Sequence, residues 1–113
     1  MPHIHTQVNL PISPEQEISL KQAMGQAITA LRGKTEAYLM LSFEENAHLW
    51  LGGKSDPCAM LEVSLLGNAS HEDCNRLTAL LCDALEKTLG VPQSRTYVRY
   101  SMTQEWGWNG AQF

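Results

Sequence analysis

Ala59-Met60-Leu61-Glu62-Val63-Ser64-Leu65-Leu66-Gly67-Asn68-Ala69-Ser70-His71-Glu72-Asp73 carries the reading of the fold. Leu61, Val63 and Leu65 alternate with Met60, Glu62, Ser64 and Leu66, the period of two that marks a strand with two unlike faces. Gly67-Asn68 breaks the run, because both residues tolerate the backbone angles of a turn. Ser70 then stands as an N-cap, with Glu72 and Asp73 in the first turn, where negative charge complements the helix dipole. Leu77, Leu80, Leu81, Ala84 and Leu85 recur at helical spacing, and Gly90 with Pro92 ends the helix. Thr96 to Met102 reads as a closing strand, so this half of the chain is a strand–helix–strand unit.

The upstream half repeats the plan. Residues 2–9 alternate Ile4, Thr6 and Val8 with His3, His5 and Gln7, as a half-buried strand does. Ser13-Pro14-Glu15-Gln16 is a capping box, and Leu20, Met24, Ala27, Ile28 and Leu31 form the apolar stripe of a helix that Gly33 is expected to close. Tyr38 to Phe43 is nearly all apolar and short, which predicts a central strand buried on both faces. His48 to Leu51 is expected to be a short edge strand ended by Gly52-Gly53. Two βαβ units with right-handed crossovers give an α/β domain over residues 1–113, one four-stranded mixed sheet with two helices on one face. Met40, Met60, Leu66 and Tyr97 would then point to the uncovered face, and apolar residues there predict burial by other copies of the chain.

With 113 residues the chain is sized for one core, and 43% hydrophobic with 18% charged residues is ordinary for a folded protein. A net charge of −4 and a pI near 5.5 give no electrostatic reason to bind nucleic acid or an anionic membrane. No apolar run has membrane-spanning length, and the N-terminus lacks the basic and apolar regions of a conventional secretion signal. Cys58, Cys74 and Cys82 are an odd set without zinc-finger spacing, as expected of buried thiols in a reducing compartment. His3 and His5 share a face without a third ligand at metal spacing, so no metal site is expected.

Pro2 bears the chemistry. If Met1 is removed, its ring nitrogen becomes a free secondary amine, and burial or a nearby ammonium would keep that amine neutral at physiological pH. A neutral amine is a general base. Read alone, Met1-Pro2 equally suits a proline placed ahead of a first strand.

Pro2, Gly33-Lys34, Gly52-Gly53, Asp56-Pro57-Cys58-Ala59, Leu66-Gly67, Tyr97 and Gly107-Trp108-Asn109 occur in this order from one end of the chain to the other. In this set the sequence resembles the macrophage migration inhibitory factor family, including its bacterial members, within the tautomerase superfamily. The resemblance implies a homotrimer whose sheets wrap round a central channel, with active sites at subunit boundaries and no cofactor. It makes Pro2 the base that moves a proton between carbon and oxygen of a small α-keto or enol acid of the phenylpyruvate kind. Lys34 matches the pocket lysine, where an ammonium would hold the amine neutral and stabilise an enolate. Leu66 stands at a pocket position whose backbone amide contacts substrate, and Tyr97 matches a tyrosine supplied by the neighbouring subunit. Tyr38, Trp106, Trp108 and Phe113 fall at positions lining the mouth. Family members also include cytokines, and relatives on the same scaffold hydrate or decarboxylate small acids with a protonated proline; both stand as alternatives to a tautomerase. A cytoplasmic location is expected, with export by an unconventional route as the alternative.

Two departures from the resemblance matter. Arg99 replaces an asparagine two residues after the pocket tyrosine. It would either bind a second substrate carboxylate or pair with Glu62 or Glu105. Cys58-Ala59-Met60-Leu61 lacks the second cysteine of a CxxC motif, so thiol–disulfide exchange through it is not expected.

Overall fold

The computed structural model describes residues 1–113. Strand β1 (Pro2–Val8) leads to helix α1 (Pro14–Ala27) and strand β2 (Met40–Glu44). Strand β3 (Ala59–Leu66), helix α2 (His71–Leu89) and strand β4 (Thr96–Thr103) follow. A C-terminal hairpin pairs β5 (Gly107–Trp108) with β6 (Ala111–Gln112). The main sheet runs β2-β1-β3-β4; β1/β2 and β3/β4 are parallel and β1/β3 antiparallel, so two βαβ units meet edge to edge in one mixed sheet.

Local signals set the helices. Ser13 accepts from the Gln16 backbone N–H, and the Gln16 side chain accepts from the Ser13 N–H, completing the capping box. Ser70 caps α2 through the Asp73 N–H, and Gly90 ends it at φ +73°, an angle at which only glycine escapes a Cβ clash. Leu20, Met24 and Ile28 on one side, with Leu77, Leu81 and Leu85 on the other, pack fully buried onto Ile4, Val8, Leu61, Val63 and Leu65. Both helices lie on this face. Thr6 is buried among them with no partner for its hydroxyl.

Three expectations are corrected, on the end of α1, on β2 and on residues 48–51. Helix α1 ends at Ala27 in a 3-10 turn over Ile28–Ala30, several residues before Gly33; the apolar stripe continues through Leu31 because that turn keeps it on the core. Tyr38 closes a second 3-10 turn (Glu36–Tyr38), so β2 begins at Met40. That strand is an edge strand rather than a central one: Leu41 and Phe43 pack against the core, while Met40 is exposed on the other face. His48 to Leu51 forms no strand. Gly52 and Gly53, both at positive φ, fold Leu51 back onto Lys54 in a single bridge.

The uncovered face carries Met40, Met60 and Tyr97 as expected. Its cross-strand rows are Met40–His3–Ser64–Ser101, Ser42–His5–Glu62–Arg99 and Glu44–Gln7–Met60–Tyr97. The apolar residues sit towards the corners and polar ones fill the middle row, so the face is mixed in character rather than apolar throughout. The apolar positions in the sequence are real; the alternation that places them also brings the histidines and Glu62 alongside.

Candidate active site

β1 delivers the N-terminus to one end of the sheet, where Pro2 is buried opposite Leu65. The Leu66 N–H donates to the Met1 carbonyl at 3.2 Å, so the first residue is held as an extension of the ladder. Lys34 reaches in from the loop after α1, its turn set by the Lys34 N–H to Leu31 carbonyl bond at 3.0 Å. Its Nζ donates to the Leu66 carbonyl at 3.1 Å. The terminal amine of this Met1-bearing chain has its pKa lowered from the usual value by burial first, then by the Lys34 charge and its hydrogen bond. Both influences disfavour the ammonium.

Around this end lies a cavity of about 510 Å3 whose walls include Pro2, His3, Tyr38, Met40, Trp106 and Trp108. Its outer wall is the C-terminal hairpin. Asn109 (φ +54°) and Gly110 (φ +83°) make the tight turn, and the Phe113 N–H closes on the Trp106 carbonyl at 3.0 Å. The hairpin stacks Trp108 on Phe113 with centroids 6.1 Å apart, and Tyr38 meets Trp108 edge-on at 6.1 Å. An apolar aromatic slot ends in one amine and one ammonium, a suitable arrangement for a flat organic acid.

One chain thus brings together Pro2, Lys34, Leu66, Tyr38, Trp106, Trp108 and Phe113. Tyr97 and Arg99 lie elsewhere. Tyr97 is level with Met60 and Gln7, so five steps of β1, roughly 17 Å, separate its row from Pro2. It lines a smaller cavity of about 230 Å3 with Trp50, Leu51 and Met60. Tyr97 and Arg99 share a face as their spacing predicts, and Arg99 Nη2 lies 3.4 Å from Glu62 Oε2. Within the chain, then, Arg99 takes the ion-pair alternative. His3, which the strand period places on one face with His5, also lines the first cavity. Its position beside Pro2 was the available signal, but its partner Ser42 becomes visible only when β2 pairs with β1.

The sequence profile of the family described as macrophage migration inhibitory factor (MIF) matches residues 1–113. The chain belongs to the MIF family. It is 31% identical over 83 residues to macrophage migration inhibitory factor of Xenopus laevis, covering 72% of each chain. The crystal structure of Leishmania major MIF2 superposes with a TM-score of 0.94 at 28% identity, covering 100% of this chain and 97% of that one. The MIF homologue of Prochlorococcus marinus gives 0.89 at 26% identity, covering 98% of both. The MIF fold is therefore shared from end to end, and no helix in it is long and apolar enough to cross a membrane.

Proposed function

We infer that this MIF-family chain is a keto–enol tautomerase acting on a small α-keto acid of the phenylpyruvate class. The Pro2 amine, freed by loss of Met1, is its general base. The observation that carries this is geometric: Pro2 is buried at the end of β1 in the wall of an aromatic slot, and the Lys34 ammonium, bonded to the Leu66 carbonyl at 3.1 Å, stands at the same end. Removing Met1 moves the amine one residue inward to Pro2 and releases the Leu66 N–H from the Met1 carbonyl. That N–H becomes a donor for the substrate. The neutral amine takes a proton from the carbon next to the carbonyl, while the Lys34 ammonium stabilises the oxygen as charge develops.

An ammonium held beside Pro2 disfavours a second positive charge there, which favours a base over the protonated-proline acid that a hydratase or decarboxylase would need. The second half of the site comes from a neighbouring copy in a homotrimer, because Tyr97 lies too far from Pro2 in its own chain. Met40, Trp50 and Tyr97 are 67%, 71% and 59% exposed, large apolar surfaces at the ends of the sheet that such contacts would cover. The free, buried cysteines suit a cytoplasmic home. The test compares processed chain, chain with Met1 retained, and Pro2→Gly in arylpyruvate enol–keto conversion. Turnover is expected only in the first, at equal folding by circular dichroism; activity in the Met1-bearing chain sinks the mechanism.

A further inference from the structure

On the uncovered face, His3 Nε2 lies 2.9 Å and His5 Nδ1 2.6 Å from one hydroxyl, Ser42 Oγ. A serine hydroxyl has one proton to donate and two lone pairs to accept with, so it can accept from one ring while it donates to the other. In that arrangement the tautomers of the two histidines are tied together. One end of this chain, His3, is in the wall of the cavity that holds Pro2; the other, His5, stands in the polar middle of the face beyond it.

We propose that His3, Ser42 and His5 form a proton relay between the Pro2 cavity and the open sheet face. The proposal rests on the tautomerase reading. In keto-to-enol conversion the C–H bond breaks toward the Pro2 nitrogen, the carbon–carbon double bond forms, and the carbonyl oxygen must gain a proton. The Pro2 ammonium then has to lose its proton from a slot walled by Tyr38, Trp106 and Trp108. That proton passes through water in the cavity to His3 Nδ1, the ring nitrogen not engaged with Ser42. His3 Nε2–H donates to Ser42, Ser42 O–H donates to His5 Nδ1, and His5 releases a proton from Nε2 to solvent. The relay now stands in reversed tautomers, ready to carry a proton inward for the substrate oxygen. One outward and one inward passage per turnover restore the starting state.

The surroundings suit a passage that does not trap charge. His5 faces Glu62 across the β1/β3 pairing, and Glu62 is neutralised by Arg99. Glu44 is engaged by Gln7 at 2.6 Å one row along, and Ser64 and Met40 flank His3. On the cavity side the titratable groups are the Tyr38 phenol, the terminal amine and, beside that amine, the Lys34 ammonium.

The test measures arylpyruvate tautomerisation by processed His3→Gln, Ser42→Ala, Ser42→Thr and His5→Gln chains in dilute buffer. His5→Gln and Ser42→Ala are expected to lower kcat about tenfold with KM nearly unchanged, and added imidazole to restore it. Ser42→Thr keeps the hydroxyl and should keep kcat. Combining His5→Gln with Ser42→Ala should cost no more than either alone, since the three act as one path. The relay is overturned if His5→Gln turns over like the parent, or if its loss falls on KM and ignores imidazole. A processed parent that turns over nothing rejects the tautomerase reading itself, and the relay with it; an active parent with unaffected variants rejects the relay alone.

Discussion

Lys34 does two things from one position. Its Nζ is tied to the Leu66 carbonyl, and its charge acts on the amine beside it. In Lys34→Ala that charge is gone, so the amine pKa rises and a larger fraction is protonated at any given pH. The acidic limb of kcat/KM should move to higher pH, and the plateau should fall about a hundredfold as the enolate loses its cation. Steady-state rates across pH check both, and an unmoved limb would place Lys34 outside the amine's environment. Thr6 shows the opposite kind of residue, one with no use for its polarity. Its hydroxyl is buried without a partner, so Thr6→Val, of nearly the same shape, should stabilise the chain by about 1–2 kcal/mol in urea unfolding. Pro2 stood out in the sequence by its residue type and place, whereas Lys34 was picked out only by the family resemblance, because a lysine after a helix-ending glycine is otherwise an ordinary surface cation. The sequence offered no such sign for Ser42, an ordinary strand serine until two imidazoles are folded onto it.

Among the elements, the C-terminal hairpin is the one that function leans on and packing barely supports. It is held by two short strands, the aromatic contacts of Trp108 and the turn at Asn109-Gly110. At Gly110, φ +83° puts any Cβ in a strained conformation, so Gly110→Val should loosen the hairpin at a cost of about 1–2 kcal/mol. Because the main sheet and helices do not depend on it, KM for an arylpyruvate should rise severalfold while the thermal midpoint changes little. A collapse of the midpoint instead would mean that the hairpin is part of the core. The helices were readable because caps and apolar spacing act within a few residues. Strand β2 was misread as central because an apolar run shows that burial occurs and not which neighbours supply it. Its outer side, at Met40, has no neighbour in the chain.

At the scale of the molecule, Pro2 and Lys34 occupy one end of the sheet and Tyr97 the other. The proposed pocket therefore requires that unlike ends of adjacent copies meet. Refolding Pro2→Gly chains together with Tyr97→Ala chains should therefore recover roughly a quarter of the parental sites, the share expected for random mixing at a head-to-tail boundary. Each variant alone should stay near its own background. No recovery on mixing, with assembly intact by sedimentation, would show that each chain builds its site unaided. By itself the sequence determined the two βαβ units, the helix caps and the face that makes the core, because each depends on neighbours a few residues away or on the nature of a side chain. Only the tertiary structure decided that β1 and β3 lie at the centre, that Arg99 pairs with Glu62, and that His3 and His5 share Ser42. Those are contacts between strands far apart in the chain, and register across a sheet is fixed by the packing of the whole.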